Sequence, residues 1–151
     1  PPELKQVLRD AILVGGAAIR ISDEPFIYLD KNYVRMFGGV ANAVRAAGAV
    51  GHRTIAVQVR GETKRVEDEA VEAVSLGATI VMVDTGDTSE LARVHAALGA
   101  AGCRQQVKLA FGGGIRLGSV GALSRLGADI LDIGTEIIDA PIVDFRLDVI
   151  A

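Results

Sequence analysis

The sequence has little of what several classes of protein depend on. Among its 151 residues there is one cysteine and no tryptophan, and aromatic residues make up 4%. A single cysteine, Cys103, excludes a disulfide within this chain and is compatible with a reducing cytoplasm, which is the location we expect. The scarcity of aromatic side chains argues against a stacking surface for single-stranded nucleic acid.

Charge and hydropathy exclude two further kinds of partner. The net charge is −3, and the lysines and arginines are scattered along the chain, so no basic patch for a polyanion is indicated. The apolar runs are far shorter than the ~20 residues that a membrane-spanning helix needs. We therefore expect small-molecule substrates, with no nucleic acid and no membrane as partners.

Short apolar runs alternate with helical patterns along the chain, which predicts an α/β fold. The runs are rich in Ile and Val and are continuous, as in parallel strands that are covered on both faces. They lie at residues 11–14, 26–29, 54–59, 79–83, 107–111 and 129–133. Helical patterns cover residues 40–47, 62–76, 89–98 and 117–126, and the prolines at the start indicate another helix.

The spacing of the strands favours a (β/α) barrel. Strands starting at residues 54, 79, 107 and 129 are 22 to 28 residues apart, which is a regular βα period. Residues 1–151 are therefore predicted to form one domain with about six parallel strands. Six strands are too few for an eight-stranded barrel, and the chain opens with a helix. We expect an incomplete or open barrel that lacks an N-terminal strand and domain, with residues 141–150 as a closing segment.

Two glycine-rich junctions follow the last two predicted strands. Gly112, Gly113 and Gly114 follow one strand, and Gly134 and Thr135 follow the next. In a parallel barrel the loops after the last two strands offer backbone N–H groups to a phosphate. Glycine allows the anion to approach the backbone closely. The pair of junctions predicts a phosphate site, and two tight turns without a ligand are the alternative.

Further polar residues are predicted at the carboxyl ends of the other strands, where ligands of a barrel bind. They are Arg20, Asp30, Lys31, Asn32, Gln58, Arg60, Asp84 and Thr85. This mixture suits an anionic, phosphorylated substrate with a divalent cation. Asp84 has the alternative role of a helix N-cap or turn residue, and Asp30 with Lys31 that of a solvated loop pair. Gln58 is expected to face the barrel mouth, because burying its amide unpaired is costly. His52 and His95 are expected to be surface or packing residues.

In this order and at this spacing the motifs resemble the barrel domain of the quinolinate/nicotinate phosphoribosyltransferase family. The resemblance covers nearly the whole chain. The segments similar to family motifs are Gly15-Gly16 with Arg20, Tyr28-Leu29-Asp30-Lys31-Asn32-Tyr33-Val34, Val57-Gln58-Val59, Val83-Asp84-Thr85, Gly112-Gly113-Gly114-Ile115 and Ile133-Gly134. The end of the chain, including Asp144 and Asp148, resembles the nicotinate-using branch most.

The resemblance implies transfer of phosphoribose from phosphoribosyl pyrophosphate to quinolinate or nicotinate, giving nicotinate mononucleotide and pyrophosphate in NAD biosynthesis. It implies catalytic roles for Asp84 and Gln58, with Asp84 as the ligand of Mg²⁺. Arg20, Lys31, Asp30 and Asn32 would bind substrate, and Gly112, Gly113, Gly114, Gly134 and Thr135 would bind phosphate. A homodimer or higher oligomer is also implied, in which an N-terminal domain closes the neighbouring active site.

Four positions depart from the family pattern and keep two alternatives open. Ile19 and Tyr33 stand where the family has histidine, Asp30 where it has lysine, and Gln58 where it has glutamate. One alternative is a catalytically degenerate paralogue of the type encoded with molybdenum transport, which keeps only phosphate binding. The other is an unrelated phosphate-binding barrel enzyme, although a Schiff-base enzyme needs an inward lysine and only Lys108 lies on a predicted strand.

Overall fold

A parallel sheet organises the protein, for which a computed structural model describes residues 2–51, 53–141 and 143. Its strands are β1 (Phe26–Leu29), β2 (Thr54–Val59), β3 (Ile80–Asp84), β4 (Lys108–Gly112) and β5 (Ile130–Leu131). They pair in sequence order, and every pair is parallel. In the described residues β1 and β5 are the two edges of the sheet, so the α/β barrel is open, as predicted.

Seven helices accompany the strands in the described residues. They are α1 (Pro2–Val14), α2 (Lys31–Met36), α3 (Val40–Gly48), α4 (Val66–Ser75), α5 (Thr88–Ala100), α6 (Val120–Arg125) and α7 (Thr135–Ile138). Helices α2 to α6 cover the outer face of the sheet, whereas α1 precedes β1 and lies with α7 at the inner face. Short 3₁₀ turns at Arg104–Gln106 and Leu117–Ser119 precede β4 and α6. No helix among the described residues is long and apolar enough to cross a bilayer.

The two faces of the sheet carry different side chains because successive residues of a strand point to opposite sides. Val57, Val81 and Leu109 are buried on the outer face in the main core. Ala56, Met82 and Ala110 lie on the inner face, in a smaller cluster. Ala56 and Ala110 are small, and a cavity opens on this face of the sheet.

The predicted strand at residues 11–14 is wrong, because these residues form the last turn of α1. Leu4, Leu8 and Ile12 recur every four residues, so the apolar run belongs to one stripe of that helix. The sheet of the described residues therefore has five strands, one fewer than predicted. The other five predicted strands are confirmed, with ends that differ by at most two residues.

The helices also differ in places from the sequence-based expectations: α7, like α2, was not predicted, and the ends of α5 and α6 differ by up to three residues. Helix α2 was not predicted, because six residues are too few to show an apolar period. Helix α4 begins at Val66 and not at residue 62, since residues 60–63 form a loop around the buried Glu69. His95 is a packing residue, as expected, and its Nδ1 accepts a hydrogen bond of 3.2 Å from Arg104. His52 and almost all of the predicted closing segment, including Asp144 and Asp148, lie outside the described residues.

Candidate active site

The carboxyl ends of the parallel strands lie at one edge of the sheet, and the inner-face residues there are polar. Asp84, the last residue of β3, lies beside Gly112 of β4 in register. Asp132 follows β5 and lies on the other side of Gly112. The alternation of side chains therefore brings residues from three strands to one place at the barrel mouth.

Gln58 links the ends of three strands. Its amide nitrogen donates to Tyr28 Oη at 2.9 Å and to Asp84 Oδ2 at 3.2 Å. Its amide oxygen accepts from the backbone N–H of Lys31 at 2.8 Å. The Tyr28 hydroxyl in turn donates to Met82 Sδ at 3.1 Å. Gln58 thus faces the barrel mouth, as expected, and holds Tyr28 and Asp84 in fixed positions.

Asp84 pairs with a cation that comes from the neighbouring strand. Arg60, just after β2, lies 2.9 Å from Asp84 Oδ2 and also donates to the backbone carbonyl oxygen of Asp84. The alternative role of Asp84 as a helix cap is wrong, because Asp87 caps α5 by accepting from the N–H of Ser89 at 2.8 Å. The carboxylate of Asp84 is therefore available to the inner face of the barrel.

Gly112 leaves a gap between two carboxylates. A Cβ atom at this position would lie 2.9 Å from Met82 Cε, 3.2 Å from Asp84 Oδ1 and 3.4 Å from Asp132 Cβ. A side chain would therefore collide with the walls of the gap. The charge of Asp84 and, more strongly, burial raise the pKa of Asp132 above its usual range.

The two glycine-rich loops lie beside other loops of the same edge. Gly113 approaches Gly86 so closely that a Cβ atom on it would lie 2.5 Å from the Gly86 nitrogen. Gly114 has φ +75°. Its Cβ position is surrounded by open space, and so is the Cβ position of Gly134. The loop after β4 contacts α7, because the N–H of Leu117 donates to Glu136 at 3.3 Å. The predicted phosphate residues thus belong to adjoining loops.

A cavity of about 710 Å³ opens on the inner face between β1, β5 and α1. Its lining includes Tyr28, Asp132 and Gly134, together with three cationic residues, Lys5, Arg9 and Arg20. Arg20 also borders a second cavity of about 790 Å³ toward the amino ends of the strands, near Lys108. Cationic and acidic groups therefore share one concave surface with the second glycine junction.

Asp30, Lys31 and Asn32 form the start of α2. The Asp30 carboxylate caps this helix by accepting from the N–H groups of Asn32 and Tyr33, at 2.8 and 3.0 Å. The hydrogen bonds from Tyr33 and Asn32 hold the pKa of Asp30 below its usual value. None of these three side chains is among the described residues that line the cavity. The structure places them at the rim, next to Gln58, and not in its interior.

Burial also affects Tyr28. It raises the pKa of the phenol to about 12, against the opposing effect of the hydrogen bond from Gln58. The negative charges of Asp132, Asp84 and Asp30 add to the increase. The hydroxyl therefore stays protonated at neutral pH and can act as a donor and an acceptor.

A buried carboxylate fixes the loop that carries Arg60. Glu69 of α4 is fully buried and accepts from the backbone N–H groups of Arg60, Gly61 and Thr63 at 3.3, 2.9 and 2.9 Å. The Thr63 hydroxyl adds a fourth hydrogen bond at 3.2 Å. Because these donors lie in one short loop, Glu69 determines how Arg60 leaves β2 toward Asp84.

Sequence reasoning missed several residues of this site: Lys5, Arg9, Tyr28 and Asp132. For Tyr28 and Asp132 the alternation of side chains was a usable signal. Tyr28 lies two residues after the inward-facing Phe26, and Asp132 lies two residues after the inward-facing Ile130. Alternation along 26–28 and 130–132 would have placed both side chains inside the barrel. Nothing in the sequence marks Lys5 and Arg9 as cavity residues, since α1 reaches the cavity only through the tertiary fold.

Comparisons with known proteins agree with this fold. A profile described as "Quinolinate phosphoribosyl transferase, C-terminal domain" matches residues 1–148. The human nicotinate-nucleotide pyrophosphorylase [carboxylating] is 32% identical over 151 residues, covering 99% of this chain and 49% of its own length. The corresponding protein of Dictyostelium discoideum is 27% identical, with 98% and 48% covered. The chain thus spans about half the length of the curated relatives it matches.

Solved structures give the same architecture. The nicotinate-nucleotide pyrophosphorylase of Francisella tularensis superposes with a TM-score of 0.62 at 27% identity, covering 83% of this chain and 42% of its own. NadC of Streptococcus pyogenes gives a TM-score of 0.70 at 21% identity, with 89% and 45% covered. At that identity the second match supports the fold alone.

Proposed function

The chain belongs to the quinolinate phosphoribosyltransferase family, and from this membership we propose that it forms the catalytic barrel of a phosphoribosyltransferase. The proposed reaction joins phosphoribosyl pyrophosphate to a pyridine carboxylate, quinolinate or nicotinate. It yields nicotinate mononucleotide and pyrophosphate, as a step in NAD biosynthesis. The relatives that carry this name are about twice as long, so the proposal concerns the full-length protein.

One observation carries the proposal. A single cavity joins Arg20, a cation suited to a planar carboxylate, to Gly134 at one of the two glycine junctions. Asp84 and Gly112 lie beside Asp132, which lines the same cavity. A pyridine carboxylate and a phosphoribosyl group need such an arrangement, with a cation at one end and backbone donors at the other.

The phosphate end is assigned to the glycine junctions. Gly112, Gly113 and Gly114 would present backbone N–H groups to the 5-phosphate, with Gly134 and Thr135 from the adjoining loop. The positive φ angles of Gly113 and Gly114, +101° and +75°, suit a backbone that turns its N–H groups toward an anion. At Gly114 and Gly134 a Cβ atom would fill open space that the phosphate needs.

The pyridine carboxylate is assigned to Arg20. Lys31 would contribute from the rim, where Asp30 and Asn32 hold the start of α2. Arg20 would pair with the pyridine carboxylate and so turn the ring nitrogen toward the anomeric carbon. That nitrogen attacks the anomeric carbon while the bond to pyrophosphate breaks, and with quinolinate loss of carbon dioxide follows. Arginine binds a carboxylate through two parallel hydrogen bonds, which fixes the plane of the ring.

The family implies Mg²⁺ with phosphoribosyl pyrophosphate, and the residues present fit such an ion. No cluster of three His, Cys, Asp or Glu residues suited to a metal occurs among the described residues. Mg²⁺ bound with a phosphorylated substrate needs only one or two carboxylates, since phosphate oxygens and water complete its shell. Asp84 would be the carboxylate that holds it, oriented by Arg60 and Gln58, and the ion would stabilise the charge of departing pyrophosphate.

The proposal includes the assembly implied by the family, a homodimer or higher oligomer in which an N-terminal domain covers the barrel mouth. The exposed apolar residues on one face of α1 support it, since Leu4, Val7 and Val14 are 62%, 64% and 90% exposed. Such a stripe on a helix next to the cavity suits burial against another domain or subunit.

The test is the release of pyrophosphate by the full-length protein supplied with Mg²⁺, phosphoribosyl pyrophosphate and either acid. Asp84→Asn should lower kcat/KM by roughly 100-fold, by analogy with the loss of one transition-state contact. Asp68→Asn is the control, because Asp68 pairs with Arg65 on the outer helix α4. Absence of pyrophosphate with both acids would overturn the proposed reaction.

A second candidate is a protein that binds phosphoribosyl pyrophosphate without turnover. It is favoured by Gln58, whose amide brings no negative charge, and by Asp30, whose carboxylate is used as a helix cap. Calorimetry with phosphoribosyl pyrophosphate separates the two: binding without pyrophosphate release supports this candidate. Lack of binding removes both.

A further inference from the structure

We propose that Asp132 is the second acidic residue of the reaction centre and that, together with Asp84, it holds the divalent cation that accompanies phosphoribosyl pyrophosphate. The inference rests on the proposed function and adds a residue to it. In this chain the second carboxylate would come from the end of β5 and not from β2.

The position of Asp132 supports this role. Asp132 and Asp84 flank the narrow gap at Gly112, which places no side chain between them; Met82 Cε is the third neighbour, 2.9 Å from the Cβ position. The Cβ position of Gly112 lies 3.2 Å from Asp84 Oδ1 and 3.4 Å from Asp132 Cβ. A cation in this gap would touch carboxylates from two strands and lie next to the glycine loop proposed for the phosphate.

Gln58 is unsuited to this role. Its amide nitrogen is engaged by Tyr28 and Asp84, and its oxygen accepts from the N–H of Lys31. An amide also adds no negative charge to a metal site. Strand β2 thus provides hydrogen bonds to the site, and Asp132 is left to provide the charge.

Asp132 also differs from Asp84 in its partners. Arg60 pairs with Asp84, whereas no donor among the described residues contacts the Asp132 carboxylate. Two neighbouring carboxylates of which only one is paired with a cationic side chain repel each other, and a divalent cation relieves that repulsion. Asp132 further lines the cavity with Arg20 and Gly134, between the proposed acid and phosphate ends.

The experiment measures the affinity of the full-length protein for phosphoribosyl pyrophosphate by calorimetry, once with saturating Mg²⁺ and once with EDTA. In Mg²⁺, Asp132→Asn should weaken binding about tenfold. In EDTA the same variant should bind at least as tightly as the wild type, because a negative charge next to a polyanion has been removed. Opposite signs in the two conditions identify a cation-holding residue.

Two further variants sharpen the result. Asp139→Asn makes the same chemical change on an exposed residue just after α7 and should alter neither affinity. The double variant Gln58→Glu with Asp132→Asn returns a carboxylate to β2 and should regain most of the effect of Mg²⁺. This regain requires that the two positions serve one cation.

The outcomes separate the inference from the function on which it rests. If the wild type does not bind phosphoribosyl pyrophosphate in Mg²⁺, the proposed function fails. If the wild type binds and Asp132→Asn binds equally well in Mg²⁺, only the role of Asp132 is overturned. Equal weakening in Mg²⁺ and in EDTA also overturns it, since a structural defect affects both conditions alike.

Discussion

The amide nitrogen of Gln58 lies 3.2 Å from a carboxylate oxygen of Asp84. The side chain of Gln58 therefore donates a hydrogen bond across the barrel mouth. The same nitrogen also donates to Tyr28, and the oxygen of the amide holds the first N–H of α2. Gln58 thus couples the ends of β1, β2 and β3 into one polar network.

Replacing Gln58 by leucine should lower the free energy of unfolding by about 1–3 kcal/mol, because partly buried polar partners are left unsatisfied. Urea denaturation followed by circular dichroism measures this change. Gln6→Leu on α1 is the matched control, since the one side-chain hydrogen bond of Gln6 within the described residues is to Asp10 on the surface. Equal stability of the two variants would contradict the structural role of Gln58.

Replacing Gly113 by alanine should destabilise the site by about 1–3 kcal/mol or more, because φ is +101° and the new Cβ atom would meet the Gly86 backbone. The Gly99→Ala substitution in α5 has no atom within 4 Å of the new Cβ. It should stabilise the helix by roughly 0.5–1 kcal/mol. Thermal unfolding of both variants gives the comparison, and equal effects would refute the close approach of Gly113 and Gly86.

Replacing Glu69 by glutamine should cost about 2–4 kcal/mol of stability, because the amide NH₂ would face backbone donors that now bond to a buried carboxylate. Glu67→Gln, on the same helix, is the control. Among the described residues Glu67 forms ion pairs of 3.6 Å with Arg65 and Arg93, so its loss should cost less than about 1 kcal/mol. Denaturant midpoints for the two variants decide the matter.

Tyr28 should ionise near pH 12 in the folded protein, compared with 10.0 for an ordinary tyrosine. Between these values an unfolded chain loses the phenolic proton and the folded chain retains it, so the free energy of unfolding falls as pH rises. The absorbance of phenolate at 295 nm, taken as the difference between the wild type and Tyr28→Phe, measures the pKa directly. A midpoint near 10 would show that the hydroxyl is not buried.

Replacing Arg20 by glutamine should raise KM for the pyridine carboxylate by roughly 10- to 100-fold, because a charge-assisted bond is lost. The KM for phosphoribosyl pyrophosphate should change much less. Arg125→Gln, at the end of α6, makes the same change outside the cavity lining and should leave both constants unaltered. A rise confined to phosphoribosyl pyrophosphate would move Arg20 to the phosphate end.

Much of the fold could be predicted from local patterns. Strand β2 was predicted with its observed bounds, because five of its six residues are apolar or β-branched, as in a strand that is covered on both faces. The run at residues 11–14 was misread, since a short apolar run fits the end of a helix equally well. The polar loop before α4 was read as helix, because its binding to Glu69 involves long-range burial that no local pattern reveals.

The candidate site could be predicted only in part from local sequence patterns. The strand-end positions of Gln58, Asp84 and Gly112 followed from the strand assignments, and the structure places them together. Asp30 was proposed as a substrate residue, whereas its carboxylate is used to cap α2. Asp132 was missed because its neighbour in space, Asp84, lies almost fifty residues earlier in the chain.

By itself the sequence determined five of the strands, where glycine is required and which polar types stand at the strand ends, since period, propensity and φ are local properties. Only the tertiary structure decided which of these residues meet: that Gln58 gives its hydrogens to Tyr28 and Asp84, that Arg60 neutralises Asp84, and that Asp132 faces Asp84 across Gly112. These pairings depend on the register between strands and on the curvature of the sheet. Both are set by the packing of the whole core, which no single segment encodes.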